Sequence, residues 1–170
     1  METKKRHPGL AIINFMLFFF AFIIHYTDSI SISIKNAVPI IILPLLTAFA
    51  MFSSPAASAA VGLITGICMD GAASGALCFN AAVLMLAAAL TSVCANNLFN
   101  RNLRSALLLS VIVTLVYFVL RWACFYAFTL SARDNLTYLL SYAFPSVIYT
   151  NIFIFPFYFL YKHFNMLRNE

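Results

Sequence analysis

Polar residues interrupt this chain only at intervals, and between them lie six apolar runs: Gly9 to Tyr26, Ala37 to Phe52, Ala56 to Met69, Ala76 to Asn96, Ser105 to Leu130 and Leu136 to His163. The separators are T-D-S-I-S-I-S-I-K-N (27–36), S-S-P (53–55), G-A-A-S-G (71–75), N-N-L-F-N-R-N-L-R (96–104) and S-A-R-D-N (131–135). No period-2 alternation supports a membrane barrel, and backbone polar groups in lipid must otherwise be satisfied within a helix. A bilayer core of about 30 Å takes roughly 20 apolar residues per helical span. The pattern therefore predicts an all-α integral membrane protein, a polytopic bundle of about six transmembrane helices forming one domain over 1–170.

Composition agrees. The chain is 64% hydrophobic and 9% charged, against about 25% charged for a soluble domain. Lys4, Lys5 and Arg6 ahead of an apolar run resemble a secretory signal. The run is long for one, lacks an A-x-A-like cleavage site and precedes further spans, so we read it as a retained first helix. The net charge of +5 is scattered over short loops and not gathered on one face, which speaks for membrane orientation and against nucleic acid. With the N-terminus inside, Lys4, Lys5, Arg6, Arg101, Arg104, Lys162 and Arg168 fall on the inner side and only Lys35 and Arg133 outside. Basic residues concentrate on the cytoplasmic side, so both termini are expected in the cytoplasm, with Asp28 and Asp134 outside.

Prolines mark two spans, Pro39 and Pro44 in the second and Pro145 and Pro156 in the last. Each removes an N–H and frees the carbonyl four residues earlier. Both spans are expected to be kinked and packed against neighbours that satisfy the freed carbonyls.

Asp70 is the only charged residue between Ser53 and Cys94. Gly62 and Gly66 precede it at intervals of four, so all three share one helix face, and small residues at that spacing let helix backbones approach closely in lipid. Seventeen residues of helix after Ser53 place Asp70 roughly 26 Å up the third span, and the same arithmetic places Arg121 roughly 24 Å up the fifth. Three arrangements are open. The two charges pair, or Asp70 caps the fourth helix through the N–H groups of Ala72 or Ala73, or Arg121 snorkels to the headgroups. Asn80 and Asn151 are further intramembrane polar groups. Asn151 is expected to hydrogen-bond across helices or to meet the carbonyl freed by Pro156; Asn96 and Asn97 read as a helix end.

Catalytic chemistry finds few parts. An intramembrane aspartyl site needs two carboxylates sharing a proton, and one acid lies inside the spans. A serine nucleophile needs a neighbouring base, and His7, His25 and His163 sit at span ends. Cys68, Cys78, Cys94 and Cys124 form no C-x-x-C pair and read as small packing residues. No enzyme activity, cofactor or metal is expected.

Three stretches give the chain a family likeness: G-I-C-M-D (66–70) followed by C-F-N-A (78–81), the basic N-R-N-L-R (100–104), and N-I-F-I-F-P (151–156). In order and spacing the chain resembles the MreD family, multi-pass membrane proteins of the bacterial rod-shape system. Ile67 stands where the family often has Leu, and Cys78 where it often has Gly. The resemblance implies a scaffold or regulator of peptidoglycan synthesis in the cytoplasmic membrane, associated with MreC. Through MreC it implies an elongation complex holding the MreB filament, a SEDS-family glycosyltransferase and a class B penicillin-binding transpeptidase. Gly62, Gly66, Asp70, Asn80, Arg121, Asn151 and Pro156 are then the candidate helix-packing or partner-contact residues. A substrate-binding S-component of an energy-coupling-factor vitamin transporter is the alternative. Its usual small-residue docking face is missing from the bulky first span N-F-M-L-F-F-F-A-F-I-I, and the outer loops are short for closing over a vitamin.

Overall fold

The computed structural model describes residues 8–26, 39–72, 78–99, 101–125 and 144–167. They form seven helices: α1 (Pro8–Tyr26), α2 (Ile42–Phe52), α3 (Pro55–Ala72), α4 (Phe79–Asn97), α5 (Leu103–Phe125), α6 (Phe144–Ile152) and α7 (Ile154–Leu167). No strand occurs among the described residues. The molecule is an all-α bundle, and four of its described helical stretches, Pro55–Ala72, Phe79–Asn97, Leu103–Phe125 and Phe144–Met166, are long and apolar enough to cross a membrane. The first apolar run gives the 19-residue α1 and the second the 11-residue α2. The separators 27–36 and 131–135, with Asp28, Lys35, Arg133 and Asp134, lie outside the described residues, as do Lys4, Lys5, Arg6, His7 and Arg168.

The prolines behave differently from the kinks expected of them. Pro8 and Pro55 open α1 and α3, Pro44 and Pro156 are third in α2 and α7, Pro145 is second in α6, and Pro39 precedes α2. In a first turn the N–H has no helical partner in any case, so proline there removes no bond. The second run is shortened: α2 begins at Ile42, five residues later than expected from Ala37. The last run is broken. Phe153 interrupts it with its N–H on the Thr150 carbonyl (3.2 Å), and α7 restarts so that Pro156 falls in its first turn.

Helix α2 is the axis of the bundle. All of its 11 residues are buried, and it packs against each of the other helices. Ile42, Leu43, Leu45, Ala48, Ala50 and Met51 are fully enclosed. Phe49 lies between Phe18 of α1 (ring centroids 6.0 Å) and Tyr161 of α7 (5.8 Å), edge-on to both. Its N-terminal end is held from across the bundle, where the Ile40 N–H donates to Thr150 Oγ1 at 3.1 Å.

Hydrogen bonds at the helix ends fix the alternation of direction. At one end Tyr26 donates to the Met69 carbonyl (3.1 Å), joining the closing turns of α1 and α3. At the other, Ser92 Oγ donates to the Ser53 carbonyl (2.7 Å), and Tyr158 donates to the Arg101 carbonyl (2.8 Å). Hence α1, α3 and α5 run one way and α2, α4 and the α6–α7 pair the other. The start of α1 and the end of α7 lie at the Arg101 end; Asp70 lies at the opposite end.

Candidate functional site

Helices α3 and α4 pack face to face along the small-residue stripe. A Cβ built on Gly62 would stand 2.5 Å from the Leu84 carbonyl oxygen and 3.1 Å from Ala88 Cβ. One built on Gly66 would collide with the backbone of Asn80 and Ala81. Both glycines are buried. Gly71, one residue past Asp70, has open space where a Cβ would be, so its neighbours do not demand glycine. The stripe is thus a packing surface inside this chain.

One turn beyond Gly66, Asp70 reaches the first turn of α4. Its two carboxylate oxygens accept the N–H groups of Asn80 (3.0 Å) and Ala81 (2.9 Å). Those are the second and third residues of α4, the donors that a helix cap normally satisfies. The residue at the cap position itself is Cys78, whose side chain makes no capping bond and whose backbone is left-handed, φ 60° and ψ 9°. Asp70 therefore caps α4 from the preceding helix, with its negative charge at the positive end of the α4 dipole. The expected capping targets, Ala72 and Ala73, assumed a helix start close behind Asp70. Helix α3 instead continues to Ala72 and α4 begins at Phe79, which moves the cap to Asn80 and Ala81.

From this cap a polar chain crosses to α5. The Asn80 amide oxygen accepts from the Tyr117 hydroxyl at 2.8 Å, and Tyr117 is 1% exposed. Arg121 Nη1 donates to the same hydroxyl at 3.5 Å, one turn further along α5. Asp70 and Arg121 are thereby linked through the start of α4, Asn80 and Tyr117. Phe79 closes the seam, its ring edge-on to Phe125 (5.2 Å) and tilted against Tyr117 (6.3 Å). The carboxylate, amide and phenol are each engaged by another group of the chain, and the arrangement works as an electrostatic strut across α3, α4 and α5.

Asn151 lies apart from this strut. Its Nδ2 donates to the Val147 carbonyl in its own helix (2.8 Å), not across helices and not to the carbonyl that Pro156 frees. Its Oδ1 is buried without a hydrogen-bond partner among the described residues. Pro156 is exposed, on the outer face of α7. At the opposite end of the bundle, Arg101 Nη2 donates to Asn96 Oδ1 (2.6 Å), and its guanidinium lies 5.9 Å from the centroid of the Phe52 ring. Asn96 and Asn97 do end α4. The cysteines differ from the packing role expected of all four: Cys94 is half-buried, whereas Cys68, Cys78 and Cys124 are exposed.

Tyr117, Tyr26 and Thr150 carry bonds that the sequence reading did not assign to them. The spacing of Tyr117 and Arg121, four apart on one helix face, was the available signal for the first. Among the described residues no three His, Cys, Asp or Glu side chains converge as a metal site would require. Comparison of the chain with family models, with curated proteins and with solved structures finds no match.

Proposed function

We propose that the chain is a non-enzymatic membrane scaffold of the MreD type, associating through its helices with the single-span protein MreC and so with the cell-wall elongation machinery. The observation that supports this reading is the use made of the family-like motif. Gly66 and Asp70 of G-I-C-M-D, with Asn80 of C-F-N-A, lock α3, α4 and α5 together. A scaffold needs such a rigid body. The exposed apolar stripes on α1 (Phe15, Met16, Phe19) and on the outer face of α5 (Ile112, Val116, Val119) are then the surfaces on which a partner helix packs. Residence in the bacterial cytoplasmic membrane with both termini inside belongs to the same proposal, supported by the distribution of Lys and Arg.

The test is co-purification of the tagged chain in mild detergent from cells that also express MreC. Recovery of MreC in a fixed ratio, lost when the MreC span is replaced by an unrelated one, is the expected result. Recovery of a coupling subunit with its paired ATPases, and no MreC, overturns the proposal in favour of a transporter S-component.

A further inference from the structure

Helix α2 begins inside the bundle. It finishes at the Arg101 end, where the Phe52 ring lies 5.9 Å from the Arg101 guanidinium, and its 11 residues span about 16 Å at 1.5 Å per residue. Its first turn is therefore near the middle of a bilayer core of about 30 Å. The first four N–H positions of a helix have no intrahelical acceptor; here they belong to Ile41, Ile42, Leu43 and Pro44. Ile41, at the cap position, makes no side-chain capping bond. Pro44 has no N–H, and Leu43 donates to the Ile40 carbonyl at 3.1 Å. The N–H groups of Ile41 and Ile42 are left without an acceptor among the described residues, and Ile42 is fully buried.

Helix α6 meets this end of α2, since Thr150 Oγ1 accepts the Ile40 N–H at 3.1 Å. Ser146, one turn nearer the start of α6, shares a face with Thr150, and both are fully enclosed. Because α2 and α6 run in the same direction, Ser146 lies beyond the start of α2, on the side to which first-turn N–H groups point. Asn151, next to Thr150, is buried on the same side of α6. Ser146 Oγ and Asn151 Oδ1 are both buried without a hydrogen-bond partner among the described residues. The set is mixed: backbone donors, a hydroxyl that gives or takes, and an amide oxygen that only accepts. An anion suits the donors and not Asn151 Oδ1; a cation does the reverse. Water suits both, and buried waters typically make about three bonds to polar groups otherwise unsatisfied. We propose that a buried water caps α2, accepting from the Ile42 N–H and donating to Ser146 Oγ and Asn151 Oδ1. This inference stands apart from the scaffold reading.

Water-to-amide cross-relaxation in the 15N-labelled full chain, held in perdeuterated detergent micelles, tests it. The Ile42 amide of the wild type should show a cross-peak at the water frequency. The amides of Leu46 and Ala48, equally buried but within the bonded part of α2, should show none. No Ile42 cross-peak, or one no stronger than that of Leu46, overturns the proposal without recourse to any variant. Ser146→Val and Asn151→Leu, which each remove one acceptor and fill its space, should both lose the cross-peak while amide positions away from α2 and α6 stay unchanged. Loss in Ser146→Val with persistence in Asn151→Leu would assign the signal to the Ser146 hydroxyl itself and overturn the water. So would a shift of the Ile42 resonance on replacing chloride by gluconate with no water cross-peak, which would place an anion at the helix start.

Discussion

Two residues at the α3–α4 turn oppose each other energetically. Asp70 satisfies two N–H groups that would otherwise be orphaned on buried residues of α4. Hydrogen bonds to a charged acceptor contribute about 1.5 to 3 kcal/mol, and a buried donor left unpaired costs a similar amount. Asp70→Ala should therefore lower the unfolding free energy in detergent by about 3 kcal/mol, and Asp70→Asn, which keeps one acceptor oxygen, by about 1 kcal/mol. Equal losses would mean that the carboxylate charge, and not its acceptor geometry, is what matters. Cys78 acts in the other direction, because a left-handed backbone (φ 60°) costs a residue with a Cβ roughly 1 to 2 kcal/mol. Glycine relieves that strain at an entropic cost of about 0.5 to 1 kcal/mol. Cys78→Gly should thus raise stability by about 0.5 to 1 kcal/mol, read as a higher unfolding midpoint.

Among the elements, the α3–α4 hairpin is the most tightly joined, and its glycines differ in what they tolerate. The atoms facing Gly66 are all backbone and those nearest Gly62 include the Leu84 carbonyl, so neither neighbour can turn aside. Overpacking costs about 1 to 3 kcal/mol. Gly66→Ala and Gly62→Ala should each destabilise within that range, while Gly71→Ala, facing open space, should change the midpoint by no more than about 0.5 kcal/mol; a Gly71 loss equal to the others would mean that helix flexibility, not interhelix space, is being measured. How much of this was readable in advance varies by element. The helices were legible because apolar runs of bilayer length are rare outside membranes, and the Gly62–Gly66–Asp70 face follows from the 3.6-residue repeat alone. The fate of the prolines was not, since it depends on where each helix starts: Pro44 is harmless only because α2 begins at Ile42. Nor was the partner of Asp70, ten residues away across a turn. Tyr117 lay hidden inside an apolar run, where one hydroxyl barely alters the pattern yet carries the link from Asn80 to Arg121.

At the level of the molecule the two ends of the bundle are chemically unlike. One holds Asp70 in a bonded chain that ends at Arg121; the other presents Arg101, Arg104 and Lys162, and both the start of α1 and the end of α7 lie there. Exposed Lys and Arg near span ends are retained on the cytoplasmic side during insertion, so this asymmetry sets a direction that packing alone leaves open. Cysteine labelling in intact bacteria reads that direction. In a background where Cys68, Cys78, Cys94 and Cys124 are replaced, Gly71→Cys and Asn97→Cys sit at opposite ends, both exposed. A membrane-impermeant maleimide should modify Gly71→Cys in whole cells and Asn97→Cys only after lysis. The reverse pattern would place the Arg101 end outside, against the charge rule, and would remove the basis for assigning both termini to the cytoplasm. Labelling of both sites in intact cells would instead show mixed orientation, which the exposed Arg101, Arg104 and Lys162 at one end of the bundle should prevent.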